Sequence, residues 1–413
     1  MAFDCLIVTN NFPPVVGGAG EVYAALAAAG GGRIGILAAS RSYLDGAEIP
    51  GWPSHDAAAG YPMARVPAVR PRRDAVGGRL ARLGAEAWIR VRLLAAVARM
   101  RRRHRFGVLG IADDETVGWL IRPAQRLLGC KVVLWTHGDD LAVQPCQARL
   151  RERRRRQFAR ADAIVAVSAA AAAELCRVYG VPARRVTVIA NGIDLTLFRP
   201  RPEDPALRAR LGLAGRRVIV TVARLVARKG IDRVIAALPS VLAAVPDAHY
   251  LVVGEGPQQA ELLALAVRCG VAERVTFAGT VGHRDVPAYL ALAACFAMPN
   301  RRLADGEDEG FGLVFLEANA CGVPVLAGRA GGVPEVVADG ENGLLVDGED
   351  AVAVADGLIR LLSDAPLAAR LAAGGLARAE LAGWDRTTAR LLALCAGLET
   401  TPAGKRGFPA GGA

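Results

Sequence analysis

The chain has 413 residues, enough for two or three domains and too many for one small module. Apolar residues make up 53% and charged residues 22%, which excludes an intrinsically disordered chain. The mean hydropathy of +0.28 comes from alanine and valine spread along the chain, and no uncharged run approaches the length of a membrane-spanning helix. The net charge is +11, unevenly placed: 29 Lys+Arg against 16 Asp+Glu through Arg199, then 22 against 24 in the remainder. Such asymmetry points to one basic surface in the first half. Eight isolated cysteines without paired spacing read as buried free thiols, with neither zinc nor disulfides.

In chain order, the apolar run Cys5 to Val8 predicts a first buried strand, not a signal peptide, because Asp4 stands where a basic segment would be needed. The turn-rich NNFPPVVGGAG follows, then a helix from Glu21 to about Ala29 and a strand at Arg33 to Ala38. Residues 40–76 carry many Pro and Gly and predict a loop region with short strands. An amphipathic helix is expected over Gly77 to His104, ending in RMRRRHRF. Strands at Val108 to Ile111, Lys131 to Trp135 and Ala163 to Val167 then alternate with helices at Thr116 to Leu128, Arg149 to Phe158 and Ala169 to Tyr179. Alternation of short apolar strands with helices means a parallel sheet covered on both faces.

The segment VTVIANGIDLTLFRPRPEDP breaks that rhythm with Asn-Gly and three prolines and predicts the interdomain linker. A second α/β series follows, with strands in RVIVTVARL, AHYLVVGEG, RVTFAGTV, CFAMPN, VPVLAG and NGLLVD. The expected domains are therefore 1–195 and 200–383, with a last helix over 384–398 and a flexible tail over 399–413. Two doubly wound domains would bind ligand in a cleft at the carboxyl ends of their strands.

Four segments carry candidate chemistry. Gly17 and Gly18 lie between the first strand and first helix, where backbone can approach an anion; a turn needed only for packing explains them equally well. His137, in THGDDL, falls at the carboxyl end of a strand, and Asp139 and Asp140 beside it fit capping, solvation or acceptor binding alike. Arg224 and Lys229 stand at a strand-to-helix turn in VARLVARKG; only two other lysines, Lys131 and Lys405, occur in the chain. Fixed cations there can neutralise a leaving diphosphate. In EDEGFGLVFLEANACGVPVLA, Glu309 and Glu317 are eight residues apart, on roughly one side of a helix beginning after Gly310, Phe311 and Gly312. Two carboxylates so placed can grip hydroxyls on two parts of one ligand, with the amides from Phe311 to Val314, including Leu313, ready for phosphate.

Together NFPPVVGGAGE, THG, ANGID, ARLVARKG, VVGEGP, EGFGLVFLEANACGVPV, AGGVPEVV and DGENGLLV resemble glycosyltransferase family 4, the retaining enzymes of the GT-B fold. CFAMPN, the acidic stretch Asp305 to Asp308 and VFLEANACGVPVLAG look most like the phosphatidylinositol mannosyltransferases and their relatives. The resemblance implies two Rossmann-like domains, an N-terminal one for the acceptor, completed by the helix 384–398, and a C-terminal one for the nucleotide-sugar donor. It implies that Arg224 and Lys229 bind the donor diphosphate, that His137 contacts the sugar near its reacting centre, and that Glu309 holds sugar hydroxyls. Glu317 would hold the ribose, Gly254 in VVGEGP would join the donor site, and the loop at Gly17 and Gly18 would meet phosphate and acceptor.

The implied reaction moves a hexosyl group from GDP-mannose or a UDP-sugar to an acceptor hydroxyl, on a lipid-linked or polysaccharide-precursor glycan, with configuration retained. No cofactor and no metal are expected, since Asp113-Asp114 and Asp139-Asp140 are poor metal bridges. The alternatives are a nucleotide-sugar epimerase on the same fold and a transferase for a small soluble acceptor. Nucleic acid is excluded as a partner by the lack of an aromatic-rich basic motif, zinc spacing or helix-turn-helix signature. The clusters Arg99 to Arg105 and Arg149 to Arg156, with Trp88, Leu93, Leu94 and Phe158, predict a cytoplasmic protein docked peripherally on an anionic membrane surface.

Overall fold

A computed structural model describes residues 3–15, 17–71, 78–138, 141 and 147–400. Apolar runs become strands: β1 Cys5–Val8, β2 Ile34–Ala39, β3 Met63–Val66, β4 Val108–Ile111, β5 Lys131–Thr136, β6 Ala163–Ala166 and β7 Val186–Val188. They form a seven-stranded sheet in the order β3-β2-β1-β4-β5-β6-β7. The register is parallel, with Leu6 of β1 opposite Gly35 of β2 and Leu109 of β4. All four residues of β1 and of β4 are buried, which is why these strands read as continuous apolar runs and not as alternating ones.

The second sheet has six strands: β8 Arg217–Val222, β9 Ala248–Val253, β10 Val275–Gly279, β11 Ala293–Met298, β12 Val325–Gly328 and β13 Leu344–Val346. Their order is β10-β9-β8-β11-β12-β13, again parallel. Under this sheet the helices Ile231–Ala244 and Ala351–Ser363 bury Ile235, Leu238, Val354 and Leu358 against Tyr250, Val252 and Leu326.

Contacts divide the chain into two compact units. One holds Met1–Trp135, Arg156–Ile164 and Thr388–Ala413; the other holds Thr136–Arg155 and Val165–Thr387. The final helix, Trp384–Thr400, contributes Leu391 and Cys395, both fully buried, and covers Gly107 so closely that any side chain there would strike Glu399. The tail beyond residue 400 lies outside the described residues.

Several elements differ from the sequence expectation. The first helix starts at Gly18, three residues early. The helix expected over Thr116 to Leu128 is broken into Asp114–Val117, a tight turn Gly118–Leu120, and Ile121–Leu127. Gly118 is held open there because a side chain would meet the Gln157 amide. The VTV of the expected linker is β7, a short and half-exposed strand. Leu93 and Phe158 are 0% and 1% exposed, so they belong to the core and are unavailable to a membrane. Amphipathic spacing shows that a helix has an apolar face without showing which neighbour covers it.

The helix Leu313–Ala320, which carries Glu317, is tied to the loop after Val336 by a buried amide pair. Asn342 Nδ2 donates to Asn319 Oδ1 at 2.7 Å and to the Val336 carbonyl at 3.0 Å, while Asn319 Nδ2 donates to the Asn342 carbonyl at 3.1 Å. Removing one partner leaves the other unsatisfied in the core. Asn342→Ala is therefore expected to lower unfolding stability by about 2–4 kcal/mol in urea titration, whereas an unchanged midpoint would show the pair to be dispensable.

Candidate active site

The second unit holds a buried charged centre at Glu309. After β8 the chain turns through Ala227–Lys229, and Gly230, at φ 71°, ends that turn in a left-handed conformation. A side chain at Gly230 would strike the Pro299 carbonyl, so the turn sits hard against the end of β11. This presents Arg228 and Lys229 to Glu309. Lys229 Nζ donates to Glu309 Oε2 at 2.5 Å and Arg228 Nη1 donates to the same oxygen at 2.6 Å. The three side chains are 7–12% exposed. Burial alone would push the Glu309 carboxyl up, but the charges and hydrogen bonds of Lys229 and Arg228 outweigh it and hold the group below its ordinary value.

The turn carrying Glu309 is packed on several sides. The His137 carbonyl lies where a side chain at Gly310 would have to go, and Gly138, at φ 95°, meets the Gly310 backbone. Ser168, the capping residue of the helix Ala169–Tyr179, donates from Oγ to the Gly310 carbonyl at 2.6 Å. Gly332 N donates to the Glu309 carbonyl at 2.8 Å. Glu335 accepts from the amides of Ala169 and Ala170, each at 2.8 Å. Gly312, at φ 85°, then caps the helix Leu313–Ala320, whose first turn holds Leu313 and Val314; Phe311 precedes it. On the other side of Glu309, Asp308 Oδ1 accepts from the Glu309 amide at 2.8 Å. Burial raises the Asp308 carboxyl despite that bond and despite Arg302 nearby.

The predicted residues divide accordingly. Lys229, Glu309, Gly310 and the His137 backbone come together; Glu317, 6% exposed, lies on the helix that follows. Arg224 is exposed. Gly254, at φ 128°, backs onto the Ala223 carbonyl and thereby holds the Arg224 turn against β9. Gly17 and Gly18, in the first unit, have open space where a side chain would extend, so local packing does not demand glycine there; Gly20 is the one that packs, against Asn11 and Pro13. Asp139 and Asp140 lie outside the described residues. Among the described residues no group of three or more His, Cys, Asp and Glu is gathered to hold a metal ion.

Two residues escaped the sequence reasoning. Arg228 shares Glu309 with Lys229, and in a chain this rich in arginine only its 6% exposure distinguishes it. His283 stands beside Glu317, Nε2 to Oε1 at 3.8 Å, and edge-on to Phe198. Its only sequence signal is rarity, as one of five histidines.

Because the folded Glu309 carboxyl titrates below its ordinary 4.5, its contribution is complete above that pH and is lost as the pH falls through the lowered value. Glu309→Gln is expected to cost about 3–5 kcal/mol at pH 7, since two buried cations lose the carboxylate they share. The gap from wild type should narrow on acidification below the ordinary carboxyl value; denaturant midpoints at pH 7 and in that acid range check it, and a pH-independent gap would contradict the assignment.

Comparison with known proteins follows the same division of the chain. Residues 203–377 match the family described as glycosyl transferases group 1, and residues 50–197 match glycosyltransferase family 4. The chain is 37% identical over 380 residues to the GDP-mannose-dependent alpha-(1-6)-phosphatidylinositol monomannoside mannosyltransferase of Mycobacterium tuberculosis, covering 90% of this chain and 92% of that one. It is 40% identical over 245 residues to a D-inositol 3-phosphate glycosyltransferase of Xylanimonas cellulosilytica, 57% of this chain and 56% of the other. In fold it is similar to Anabaena Alr3699/HepE in complex with UDP and glucose, with TM-score 0.75 at 21% identity over 96% and 100% of the two chains. WaaG, a glycosyltransferase involved in lipopolysaccharide biosynthesis, gives TM-score 0.64 at 19% identity over 95% and 100%. The two parallel α/β sheets are those of the GT-B fold, and the chain belongs to glycosyltransferase family 4.

Proposed function

We propose that this enzyme transfers mannose from GDP-mannose to a phosphatidylinositol mannoside, with anomeric configuration retained. The observation that carries this is similarity along nine-tenths of the chain to a mannosyltransferase of that specificity, together with an intact Lys229–Glu309 centre. Residues 1–195 with the last helix serve the acceptor and residues 200–383 the donor. Lys229 and Arg224 meet the diphosphate, where they stabilise charge that develops as the nucleoside diphosphate leaves. Glu309 takes sugar hydroxyls, held in place by Arg228 when Lys229 turns to phosphate. Glu317 takes the ribose, with His283 beside it. His137 lies close to Gly310, which suits a contact at the reacting carbon. The amides at Gly312, Leu313 and Val314 open a helix toward the same charge. Fixed cations and amides make a divalent ion unnecessary, and the acceptor hydroxyl attacks from the face that the diphosphate leaves.

A lipid acceptor calls for attachment to a bilayer. Among the described residues no helix is long and apolar enough to cross a membrane. The helix Arg79–His104 offers a peripheral mode instead: Leu80, Leu83, Trp88 and Val91 are 85%, 53%, 57% and 67% exposed. Exposed Arg82, Arg90 and Arg92 stand among them, Arg92 over the Trp88 ring at 4.2 Å. Apolar side chains entering the interface with arginines at head-group level suit anionic lipid. This moves the docking surface from Leu93 and Phe158 to the first half of the helix.

In a transfer assay with GDP-mannose and a phosphatidylinositol mannoside, Lys229→Ala should lower turnover by about 100-fold or more. Glu317→Ala should chiefly weaken GDP binding, and excess EDTA should leave the rate unchanged. Transfer from UDP-sugars alone would replace the donor, and loss in EDTA restored by magnesium or manganese would overturn the metal-free mechanism. Separately, Trp88→Ser with Val91→Ser should abolish co-sedimentation with anionic liposomes while sparing GDP binding; undiminished sedimentation would place the membrane surface elsewhere.

A further inference from the structure

The first unit contains a second cationic centre that the donor chemistry does not use. Strands β3, β2 and β1 are parallel neighbours, so their carboxyl ends open side by side. There Asn10, Arg41, Ser42, Tyr43 and Arg70 line a cavity of about 140 Å³. The Arg70 guanidinium lies over the Tyr43 ring at 4.5 Å, which fixes its plane. Among the described residues neither Arg41 nor Arg70 pairs with a carboxylate; Arg41 reaches only the Gly46 carbonyl, at 3.5 Å. Glu48, which bridges to Arg41 through the backbone, turns its carboxylate to Trp52 Nε1 at 2.9 Å.

A contrast on the adjoining strand gives this weight. Arg65 of β3 is committed to structure: its side chain, 3% exposed, donates to both oxygens of Asp56 and to the carbonyls of Ala39 and Pro13. Arg41 and Arg70 have no such duty. Two guanidiniums on the lining of one small cavity, neither paired with a carboxylate among the described residues, repel each other unless an anion sits between them. Guanidinium forks match the oxygens of phosphate. The Ser42 hydroxyl, whose oxygen accepts from the Leu44 amide at 3.1 Å, keeps its proton to donate. The volume suits a phosphate group and falls well short of the roughly 300 Å³ that a drug-sized or nucleotide ligand requires.

We infer that this cavity binds a phosphate oxyanion between Arg41 and Arg70, carried by the head group of the acceptor or present as free phosphate. The site itself stands on the cavity and its arginines; only its assignment to the acceptor rests on the lipid-acceptor reading above. Asn10, which lines the cavity, lies two residues past the end of β1.

Phosphorus NMR titration of the full-length protein without donor tests this, using inorganic phosphate and glycerophosphoinositol in separate arms. Arg41→Gln and Arg70→Gln should each weaken binding by about 10-fold or more, with GDP affinity and the thermal midpoint unchanged. With the diphosphate site filled by saturating GDP, Lys229→Ala should leave the same titration as in wild type. Tighter binding of glycerophosphoinositol assigns the site to the acceptor, and equal binding assigns it to free phosphate. No binding in either arm, wild-type affinity in both arginine variants, or loss in Lys229→Ala instead would overturn the inference. No transfer step enters these measurements, so a protein that binds phosphate here but fails to transfer mannose would refute the proposed reaction alone.

Discussion

One oxygen, Glu309 Oε2, receives both Lys229 and Arg228. Glu309 is the carboxylate that both buried cations share, so removing it takes that counter-charge from the pair in a medium that solvates charge poorly, whereas removing one cation leaves the other to pair with it. The set therefore fixes two segments of the second unit relative to each other: the turn after β8 and the turn after β11. Opposite charges bound this tightly also act as a reserve. If Lys229 turned away, Arg228 would remain to balance Glu309 and keep the carboxylate ionised.

Close backbone approach is the second constraint. Gly230 against Pro299, Gly254 against Ala223, and Gly310 against His137 are all contacts that a single methyl group would break. They are distributed along the sequence but meet around the same pair of turns. The chain thus spends its glycines where side chains would have kept charged groups apart. Ser168 and Glu335 complete the arrangement by tying the start of the helix Ala169–Tyr179 to Gly310 and to the loop that carries Gly332.

Much of this was legible in the sequence. Fully buried parallel strands leave uninterrupted apolar runs, so β1 and β4 were placed to the residue; β7, three residues long and half-exposed, leaves no such trace. Lys229 and Glu309, which the fold brings together, drew notice because lysine is rare here and because glycines flank the acid. Arg228 was invisible for the opposite reason: where arginine is everywhere, identity carries no information and only burial does. The same excess misdirected the membrane surface toward Leu93 and Phe158, which periodicity placed on an apolar face and packing placed in the core. Arg41 and Arg70, 29 residues apart, match no motif; a sheet edge brings them together.

The first unit draws on both ends of the chain: residues 388–400 return to it after the whole second unit has been made. A nascent chain emerging at about 5–20 residues per second would leave its first unit without Leu391 and Cys395 for some tens of seconds. During that interval Gly107 is uncovered and the core beside β1 and β4 lacks its last layer. The order of synthesis is thus the reverse of the order of completion. The second unit closes its core first, and the first unit reaches its final form only once residues 388–400 have been made.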